Sequence, residues 1–395
     1  MKPLSIIVPT ADRADYAVSV VEFIVSICPQ AEIIVSDTGK DESLLARLTA
    51  PIAAGQVIYL RPGIGIDVVS NFEAARVAAS GDYLMFLGDD DCIGPNVMDI
   101  VAWARDHAID AVVPYADYFL ALYYWPGVTS RYFGASTTAT LFVKPFDGGT
   151  VAINPREALR AALRRFGGGL GAMPRAYHGL VSRALVDRIV AQHGCLFGGV
   201  SPDIFSATLI AMTAERVAQV DWPFCIPGAS PRSTAGLGAA RADRSSLWTN
   251  PHILPFKKLV WDPLIPEFYS PTTVWAYSFK RAVDRFPGNG LRPNLDLLYA
   301  HSLVFNRGFA SPTVTAWRNS IPGRGILAAS IGLILAIVGT MATLSFKVIG
   351  RVGSFKLGGR NTRAIGDLAD IGQAYRALER EIASKGVSLR LTTFR

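Results

Sequence analysis

The chain of 395 residues is long enough for two or three domains with a large hydrophobic core. Half of its residues are hydrophobic and only 18% are charged, which is apolar for a soluble enzyme and indicates a membrane segment. The net charge is +7, but residues 347–395 hold ten Lys and Arg against four Asp and Glu and so carry six of these charges. Because the rest of the chain is nearly neutral, we expect no nucleic-acid partner.

The spacings of cysteine and histidine exclude the common zinc motifs. The four cysteines form no CxxC pair, and the five histidines form no HExxH motif. Scattered cysteines of this kind are typical of reduced thiols in a cytosolic compartment. The first predicted strand follows Met1 almost directly, without the pattern of a secretory signal, so we expect a cytoplasmic protein.

The first 114 residues alternate between strand-like and helix-like segments. Short β-branched runs separated by helices predict an α/β fold, with a mostly parallel sheet flanked by helices on both faces. In such sheets, ligands bind beyond the carboxyl ends of the strands. The predicted strands are 5–10, 32–37, 57–60, 83–87 and 111–114, and the predicted helices are 14–28, 71–79 and 95–107.

Polar residues follow three of these strands. Thr10 and Arg13 come after the first strand and Asp37 after the second, while three aspartates, 89–91, follow the fourth. Because the carboxyl ends of parallel strands meet at one edge of the sheet, we expect these groups to converge. Adjacent carboxylates repel one another unless a cation neutralises them, and Mg²⁺ and Mn²⁺ prefer such oxygen ligands. The alternative is a solvated turn in which an aspartate caps the helix near residue 95.

The chain resembles the GT-A glycosyltransferases, whose fold is Rossmann-like, in three stretches. These are SIIVPTADR at 5–13, EIIVSDTG at 32–39 and NFEAARVAASGDYLMFLGDDD at 71–91. Over about the first 120 residues the order and spacing are similar to the large inverting family 2. The resemblance implies a hexosyltransferase-type enzyme that uses a divalent ion to take a sugar from a nucleoside diphosphate sugar.

The resemblance also implies roles for individual residues. Asp91 and Asp89 would hold Mn²⁺ or Mg²⁺, with Asp91 as the favoured direct ligand. Because Gly88 stands where many members have an acid, it stays open which carboxylate meets the metal and which meets the ribose. Asp37 suits the hydrogen-bonding edge of uracil and mildly favours UDP. The residues expected to bind the nucleotide sugar are Pro9, Thr10, Arg13, Asp37, Asn71, Asp89 and Asp90.

An inverting transfer needs a general base that takes the proton of the acceptor hydroxyl. The resemblance implies a carboxylate near a helix start in the second half, and Asp203 in GGVSPDIFSATLIA fits. The alternative is an ordinary helix start, with Ser201 as the N-cap and Pro202 in the first turn. Asp221 and Glu215 are weaker candidates for the base.

Three further features have a functional and a structural interpretation. His178 in RAYHGL could line the acceptor site or bind the metal, or it could be a hydrogen-bonded structural histidine. The aromatic residues at 115–132 could stack on sugar rings or pack in the core. The glycines at 167–171 suit a mobile acceptor loop or a linker.

Residues 326–346 form an uncharged segment of 21 residues, enough at about 1.5 Å per residue to cross a hydrocarbon core of roughly 30 Å. The segment and the basic tail after it favour an anionic membrane surface. Nucleotide sugars are cytoplasmic, and Lys and Arg flank both ends of the segment, so one straight crossing does not satisfy the positive-inside rule. We therefore expect an enzyme anchored monotopically on the cytoplasmic face of the membrane. The alternative is a buried helix or an oligomer contact.

These observations predict four regions and a leading function. The acceptor is expected to be a glycan or lipid-linked glycan in envelope polysaccharide synthesis, with polyprenyl phosphate as the alternative acceptor. A second alternative is a sugar-nucleotide nucleotidyltransferase, which would have a Gly-rich loop after the first strand, but PTADRAD has no glycine there. The third alternative is a non-catalytic sugar-nucleotide-binding protein.

The four predicted regions are the nucleotide-sugar-binding half at 1–120, the acceptor-binding half at 121–225, an irregular Pro- and aromatic-rich extension at 226–322, and the hydrophobic helix and basic tail at 323–395.

Overall fold

A computed structural model describes residues 2–114, 119–129, 137–240, 244–288, 290–352 and 362–392 of the chain. The strands within these ranges are β1 (Leu4–Thr10), β2 (Glu32–Asp37), β3 (Val57–Leu60), β4 (Tyr83–Phe86), β5 (Cys92–Ile93), β6 (Ala111–Pro114), β7 (Ala121–Tyr124), β8 (Thr140–Val143), β9 (Thr150–Ile153), β10 (Leu180–Ser182), β11 (Val217–Val220), β12 (Cys225–Ile226), β13 (Gly228–Ala229) and β14 (Arg363–Ile365). The helices are α1 (Ala14–Ile27), α2 (Ser43–Arg47), α3 (Thr49–Ala53), α4 (Val68–Ala78), α5 (Val97–Asp106), α6 (Pro155–Arg164), α7 (Arg183–His193), α8 (Pro202–Thr213), α9 (Thr234–Ala240), α10 (Pro271–Val283), α11 (Leu295–Phe305), α12 (Ala310–Ser320), α13 (Ile326–Val352) and α14 (Ile371–Lys385).

The central sheet has eight strands in the order β3-β2-β1-β4-β10-β6-β11-β9. Strands β3, β2, β1 and β4 run parallel, and β6 runs parallel to β11. Strand β10 is antiparallel to both of its neighbours, and β9 is antiparallel to β11 at the edge. The predicted α/β fold with a mostly parallel sheet is therefore confirmed.

The sheet is buried on both faces because consecutive residues of its central strands point to opposite sides. Ile6 and Ile33 belong to the hydrophobic cluster on one face, which α1 covers. Ile7 and Ile34 belong to the cluster on the other face, which α4 and α8 cover. This double burial explains why the strands are continuous apolar runs rather than alternating ones.

A four-stranded sheet, β13-β7-β8-β14, and the β5-β12 pair cover the region beyond the carboxyl end of β4. The antiparallel pairing of β5 with β12 brings residues 228–230 beside the aspartates at 89–91. The C-terminal tail returns to this same body. Strand β14 pairs with β8, α14 packs in the cluster that contains α1, and Tyr123 donates a hydrogen bond to the Leu368 carbonyl over 2.7 Å.

The region 226–322, expected to be irregular, contains three helices, α10, α11 and α12, beside its loops. The start of α10 has a clear local signal, because Ser270 and Thr273 form a capping box around Pro271. The helix is rich in β-branched and aromatic residues, which have low helix propensity, and burial against the α6 and α8 region outweighs that preference. The helix that starts at Pro202 ends at Thr213, and residues from Val217 onward form β11.

Candidate active site

Arg13 is the cation that holds two of the three consecutive aspartates. Its Nη2 lies 3.0 Å from Asp89 Oδ1 and 2.8 Å from Asp90 Oδ2. Thr10, at the end of β1, donates a hydrogen bond to Asp89 Oδ2 over 2.5 Å. Burial by itself would lower the pKa of Arg13, but the two carboxylates raise it above its ordinary value. The predicted convergence of the ends of β1 and β4 is thus observed, and Arg13 lies inside the site rather than on the surface of α1.

The charge of Asp89 and Asp90 is only partly balanced. Both side chains are buried, and one guanidinium faces two carboxylates. Burial raises the pKa of Asp89 to about 7, with Asp90 adding to the rise and Arg13 opposing it. Burial likewise raises the pKa of Asp90. A second cation would therefore gain free energy from binding here.

Asp91 differs from its two neighbours because hydrogen-bond donors surround it. Its Oδ2 accepts from the Gly88 N–H at 2.6 Å and the Tyr177 hydroxyl at 3.0 Å, and lies 2.6 Å from His178 Nε2. Its Oδ1 accepts from the Gly228 N–H at 2.7 Å. Burial alone would raise the pKa of Asp91, but His178 and the two backbone donors lower it. Asp91 therefore links three distant segments, a structural role that the sequence did not suggest, while its role as a metal ligand stays a prediction.

The backbone at His178 is strained so that its ring can reach Asp91. His178 has a φ of 61°, a left-handed conformation that costs free energy in a residue other than glycine. Its N–H donates to the Phe86 carbonyl at 3.0 Å, which fixes this segment to the end of β4. The next residue must be Gly179, because a Cβ there would lie 2.4 Å from the Arg175 carbonyl oxygen. The predicted acceptor-site role of His178 stays open, and its ring is hydrogen-bonded as the structural alternative requires.

The triplet also depends on glycine at 228. A Cβ on Gly228 would lie 1.8 Å from the Asp90 carbonyl oxygen, so only glycine allows this close approach. Two residues further on, the Ser230 N–H donates to Asp90 Oδ2 at 2.9 Å, and Arg13 donates to the Ser230 hydroxyl at 2.6 Å. Ser230 and Gly228 were missed from the sequence because they lie about 140 residues beyond the triplet and carry no local motif.

Asp37 and Asn71 lie at the ends of β1 and β2. Asp37 accepts from the Gly39 N–H at 2.7 Å and from the Tyr59 hydroxyl at 2.6 Å, which fixes its orientation. Asn71 is buried, accepts from the Ser36 hydroxyl, and donates to the carbonyl oxygens at positions 10 and 36. Asn71 thus joins the two strand ends and does not cap α4, which begins after Asp67. Their contacts with a nucleotide stay predictions.

A cavity of about 380 Å³ lies beside the triplet, in the size range of ligand sites. Asp37 and Thr10 line it together with Arg13, whereas Pro9 is a buried residue of β1. The cavity contains two cations that the sequence did not single out, Arg47 and Arg232. Its lining residues are Thr10, Asp12, Arg13, Ala14, Asp15, Asp37, Gly39, Asp41, Ser43, Leu44, Arg47 and Arg232.

Asp203 lies in the first turn of α8, as the sequence predicted. Ser201 occupies the N-cap position, but its hydroxyl donates to Asp203 Oδ1 over 2.5 Å instead of capping the helix. The negative charge of Asp203 acts on Tyr177, which also donates to Asp91, and on the buried Arg175. Asp203 is therefore close enough to influence Tyr177, whose hydroxyl contacts the triplet.

The two weaker base candidates lie elsewhere. Asp221 accepts a hydrogen bond from the Asp147 N–H at 2.7 Å, and Glu215 is exposed. No contact with the triplet is found for either within the described ranges. A histidine missed from the sequence, His252, lies in the field of Asp203. Its Nε2 lies 2.7 Å from the Val200 carbonyl oxygen and so carries a proton, and burial lowers the pKa of the ring.

The aromatic residues of 115–132 divide into two groups. Those at 115, 118 and 132 lie outside the described residues. Tyr123 and Trp125 are buried in the core, and Trp125 donates to the Asp90 carbonyl at 2.9 Å. Phe119 is half-exposed, and its ring lies edge-on to that of His178 at 5.5 Å. Core packing accounts for Tyr123, whereas Trp125 and Phe119 both lie beside the site.

The donor atoms of the triplet suit a hard divalent ion. They are carboxylate oxygens with excess negative charge, the ligands that Mg²⁺ and Mn²⁺ prefer. In the part of the chain that the structure describes, no three His, Cys, Asp or Glu side chains are arranged to hold a metal. The triplet would therefore contribute one or two ligands, and substrate phosphates would complete the coordination, as is usual for Mg²⁺.

The mostly parallel α/β sheet and a match to a known family both support a GT-A glycosyltransferase. Residues 5–162 match the model of the family described as Glycosyl transferase family 2. The resemblance of the sequence to this family is thereby confirmed over these residues, which make up less than half of the chain.

Several solved structures are similar in fold at low identity. S. aureus TarS 1-349 in complex with UDP-GlcNAc is 14% identical with a TM-score of 0.46, and the match covers 85% of this chain and 79% of that one. The same protein in complex with UDP is 12% identical with a TM-score of 0.44, covering 85% and 89%. The mannosyltransferase PcManGT from Pyrobaculum calidifontis, in complex with GDP-Man and Mn²⁺, is 14% identical with a TM-score of 0.40, covering 98% and 88%. No curated protein matches the sequence.

Proposed function

We propose that the protein is a metal-dependent inverting glycosyltransferase that moves a sugar from a nucleoside diphosphate sugar to a glycan or lipid-linked acceptor in envelope polysaccharide synthesis. One observation carries this proposal. Thr10 and Arg13 contact the acidic triplet and line a nucleotide-sized cavity with Asp37, while Tyr177 contacts the triplet and is influenced by a further carboxylate, Asp203. A donor on one side and an acceptor on the other would meet at the triplet.

On the donor side, Asp37 would accept a hydrogen bond from the base, which mildly favours uracil and hence UDP. Thr10 and Arg13 lie where the ribose and phosphates would enter, with Asp89 and Asp90 behind them. Asn71 holds the ends of β1 and β2 in register, so it supports this surface through the backbone.

Mn²⁺ or Mg²⁺, held by Asp91 and Asp89, would balance the negative charge that grows on the departing diphosphate. Arg13 keeps Asp89 and Asp90 oriented, and the donors around Asp91 keep that carboxylate ionised by lowering its pKa. His178 and Phe119 would line the acceptor side next to Asp91.

On the acceptor side, Asp203 would act as the general base. The acceptor oxygen forms a bond to the anomeric carbon as the bond from that carbon to the diphosphate breaks, and the hydroxyl proton passes to the Asp203 carboxylate. The Ser201 hydroxyl orients the carboxylate through Oδ1 and leaves Oδ2 for the proton.

A thermal-shift screen of nucleotide sugars with and without Mn²⁺ tests the proposal. A ligand at a hundred times its dissociation constant adds about 2.7 kcal/mol to the free energy of unfolding, which such a screen detects. We expect a UDP sugar to raise the Tm more than a GDP sugar, and Mn²⁺ to enlarge the shift. If no nucleotide sugar changes the Tm, the proposal is wrong.

We also propose that the enzyme is anchored monotopically on the cytoplasmic face of the membrane through residues 326–346. Helix α13 contains a stretch, Ile326–Leu344, with a mean hydropathy of 2.2 and only 11% of its residues buried. One face packs on the body, where Ala329 and Thr340 are buried and Trp317 donates to the Ala329 carbonyl. We name the opposite, exposed face the apolar stripe, which consists of Leu327, Ile331, Ile334, Leu335, Val338 and Met341.

The chain on both sides of α13 supports an arrangement along the membrane rather than across it. Before α13, α11 and α12 pack in the cluster that contains α6 and α10. After it, β14 pairs with β8 of the four-stranded sheet, and α14 packs in the cluster that contains α1. A single crossing would place these segments on opposite sides of the bilayer. Part of the basic tail is also used internally, since Arg363 pairs with Glu381 at 2.9 Å, while Lys356 and Arg360 lie outside the described residues.

The location can be tested with a C-terminal tag in sealed inverted vesicles, whose outer surface is the cytoplasmic one. We expect protease added outside to remove the tag. A tag that stays protected until detergent is added would mean that α13 crosses the membrane.

A further inference from the structure

Arg175 is a buried cation whose hydrogen bonds are mostly unmade. Arg175 is only 8% exposed, and its Nη1 donates a hydrogen bond to the Gly171 carbonyl at 3.2 Å. A guanidinium has five N–H donors. Among the described residues, this is the one hydrogen bond that Arg175 donates, and no carboxylate lies within salt-bridge distance of it.

Arg175 differs from Arg13 in forming no ion pair among the described residues, although Arg13 Nε is itself buried without a partner. Arg13 is also mostly buried, but it contacts two carboxylates and the Ser230 hydroxyl. For Arg175, burial outweighs the attraction of Asp203 and lowers the pKa to about 10, so the group remains a cation at neutral pH. The other N–H donors of Arg175 are not fully buried, so an anionic ligand could reach them and complete the hydrogen bonding of this charge.

Arg175 lies where the two substrates would meet. It follows the glycine segment 167–171, which supplies its one acceptor, and precedes Tyr177, whose hydroxyl donates to Asp91. The charge of Asp203 acts on both Arg175 and Tyr177. Arg175 therefore lies near the predicted base and two residues before the tyrosine that contacts the triplet.

We propose that Arg175 binds a phosphate group of a substrate, an inference that rests on the proposed function. The planar fork of a guanidinium matches two phosphate oxygens, and its hydrogen bonds to a charged acceptor are among the stronger ones in proteins. The phosphate belongs either to the diphosphate of the donor or to a phosphate-bearing acceptor such as a lipid-linked one. Both sources present the same chemistry at the same place.

The test compares the wild type with Arg175→Met and Arg175→Lys by calorimetric titration. Three probes are used: UDP with Mn²⁺, uridine, and inorganic phosphate added to protein saturated with uridine or with UDP. The control is Arg188→Met, because Arg188 pairs with Asp110 at 2.9 Å and lies on α7, away from the triplet. Thermal unfolding is measured for every variant.

The affinities distinguish the two sources. If Arg175→Met weakens UDP binding by about tenfold or more, as expected for the loss of a charge-assisted hydrogen bond, and leaves uridine binding unchanged, the phosphate is the donor's. The other outcome is that Arg175→Met binds UDP as the wild type does, but its UDP-saturated form binds inorganic phosphate at least tenfold more weakly than the UDP-saturated wild type. In that case the phosphate is the acceptor's. Arg175→Lys should lie between wild type and Met, because it keeps the charge and loses the fork. Arg188→Met should match the wild type with all three probes.

The Tm separates a binding role from a structural one. Because most donors of Arg175 are unmet, we expect Arg175→Met to have a Tm equal to or above that of the wild type. A variant that unfolds at a clearly lower Tm or fails to fold, or one that binds every anion as the wild type does, overturns the proposal. If the wild type does not bind UDP but binds inorganic phosphate through Arg175, the proposed function fails and this inference stands.

Discussion

The donor side and the acceptor side of the site differ in how their buried charges are compensated. On the donor side, Asp91 has four hydrogen-bond donors, and Arg13 holds Asp89 and Asp90. On the acceptor side, Arg175 makes one hydrogen bond within the described ranges. The carboxylates of the donor side are thus largely compensated by the chain itself, whereas Arg175 has donors that a substrate phosphate could use.

The same difference extends to the surfaces around the site. The sheet that carries the triplet is covered by helices on both faces. Helix α13, in the second half of the chain, leaves the apolar stripe exposed. Groups that are already hydrogen-bonded within the chain keep their geometry before the substrate binds. Groups and surfaces without such contacts gain stability when a ligand or membrane binds to them. The following predictions test this contrast.

The largest effect is expected from Asp91→Ala. Transfer should fall by about 10³-fold or more, because the variant loses a carboxylate predicted to hold the metal. The variant should also lose about 3–5 kcal/mol of stability, because Tyr177, His178 and two backbone N–H groups are left buried without an acceptor. Initial rates with the donor found in the screen and urea unfolding measure the two effects. Asp106→Ala, on the exposed surface of α5, is the control. Unchanged stability would mean that the donor side is not held by this network.

Asp203→Asn is expected to lower kcat by about 10²–10⁴-fold while UDP binds as in the wild type. Asparagine keeps the oxygen that accepts from the Ser201 hydroxyl, so α8 should start as before. Steady-state kinetics and calorimetric titration of UDP separate the two quantities. A wild-type kcat would remove Asp203 from the mechanism, and a loss of UDP affinity would place it on the donor side.

The double substitution Ile334→Glu with Val338→Glu is expected to reduce binding to anionic vesicles by about tenfold or more, because two charges enter the apolar stripe. Both side chains are exposed, so the Tm should not change. Vesicle flotation measures the binding, and Ile334→Val with Val338→Ile is the matched apolar control. Equal flotation of all three proteins would exclude the stripe as the membrane contact.

Glu32→Gln is expected to have the smallest effect, about 1 kcal/mol, because it weakens hydrogen bonds that secure the donor-side scaffold. Glu32 accepts from the Ser5 hydroxyl at 2.5 Å and from the N–H and hydroxyl of Ser80 at 2.7 and 2.6 Å. Burial raises the pKa of Glu32, but these hydrogen bonds lower it further, below the ordinary value of 4.5.

The pH dependence of this effect has a definite sign. A carboxylate with a lowered folded-state pKa stabilises the fold above the unfolded-state value, and this contribution is lost as the pH falls through the folded-state value. Well above the ordinary pKa of 4.5, Glu32 is ionised in both the folded and the unfolded protein. The stability difference between wild type and Glu32→Gln should therefore be constant between about pH 6 and 8 and shrink below pH 4.5. A difference that grows on acidification would contradict the assignment.

The first half of the fold could be predicted closely from the sequence. Strands predicted at 32–37, 57–60 and 111–114 have these bounds in the structure, and β1 differs by one residue. Buried parallel strands are continuous β-branched runs, and each is bounded by helices or turns with their own signals. The ends of β1 and β4 carry Thr10, Arg13 and Asp89, and their meeting follows from the parallel order alone.

The long-range contacts of the site could not be predicted in this way. Tyr177 and Gly228 lie 86 and 137 residues beyond Asp91, and neither stands in a motif that indicates the contact. The helices of 226–322 were missed because burial, rather than local propensity, stabilises their aromatic and β-branched residues. Arg175 was missed because only the tertiary structure shows that it forms a single hydrogen bond among the described residues.

The sequence by itself determined the α/β layout, the acidic triplet at the end of β4 and the long apolar segment at 326–346, because periodicity and strand-end chemistry are local properties. Only the tertiary structure decided which aspartate is held by Arg13 and which by His178, how the tail returns to the sheet beside β8, and where a guanidinium is buried with its donors unmet. These features arise from contacts between segments far apart in the chain, where the gain from packing and hydrogen bonding depends on the whole fold.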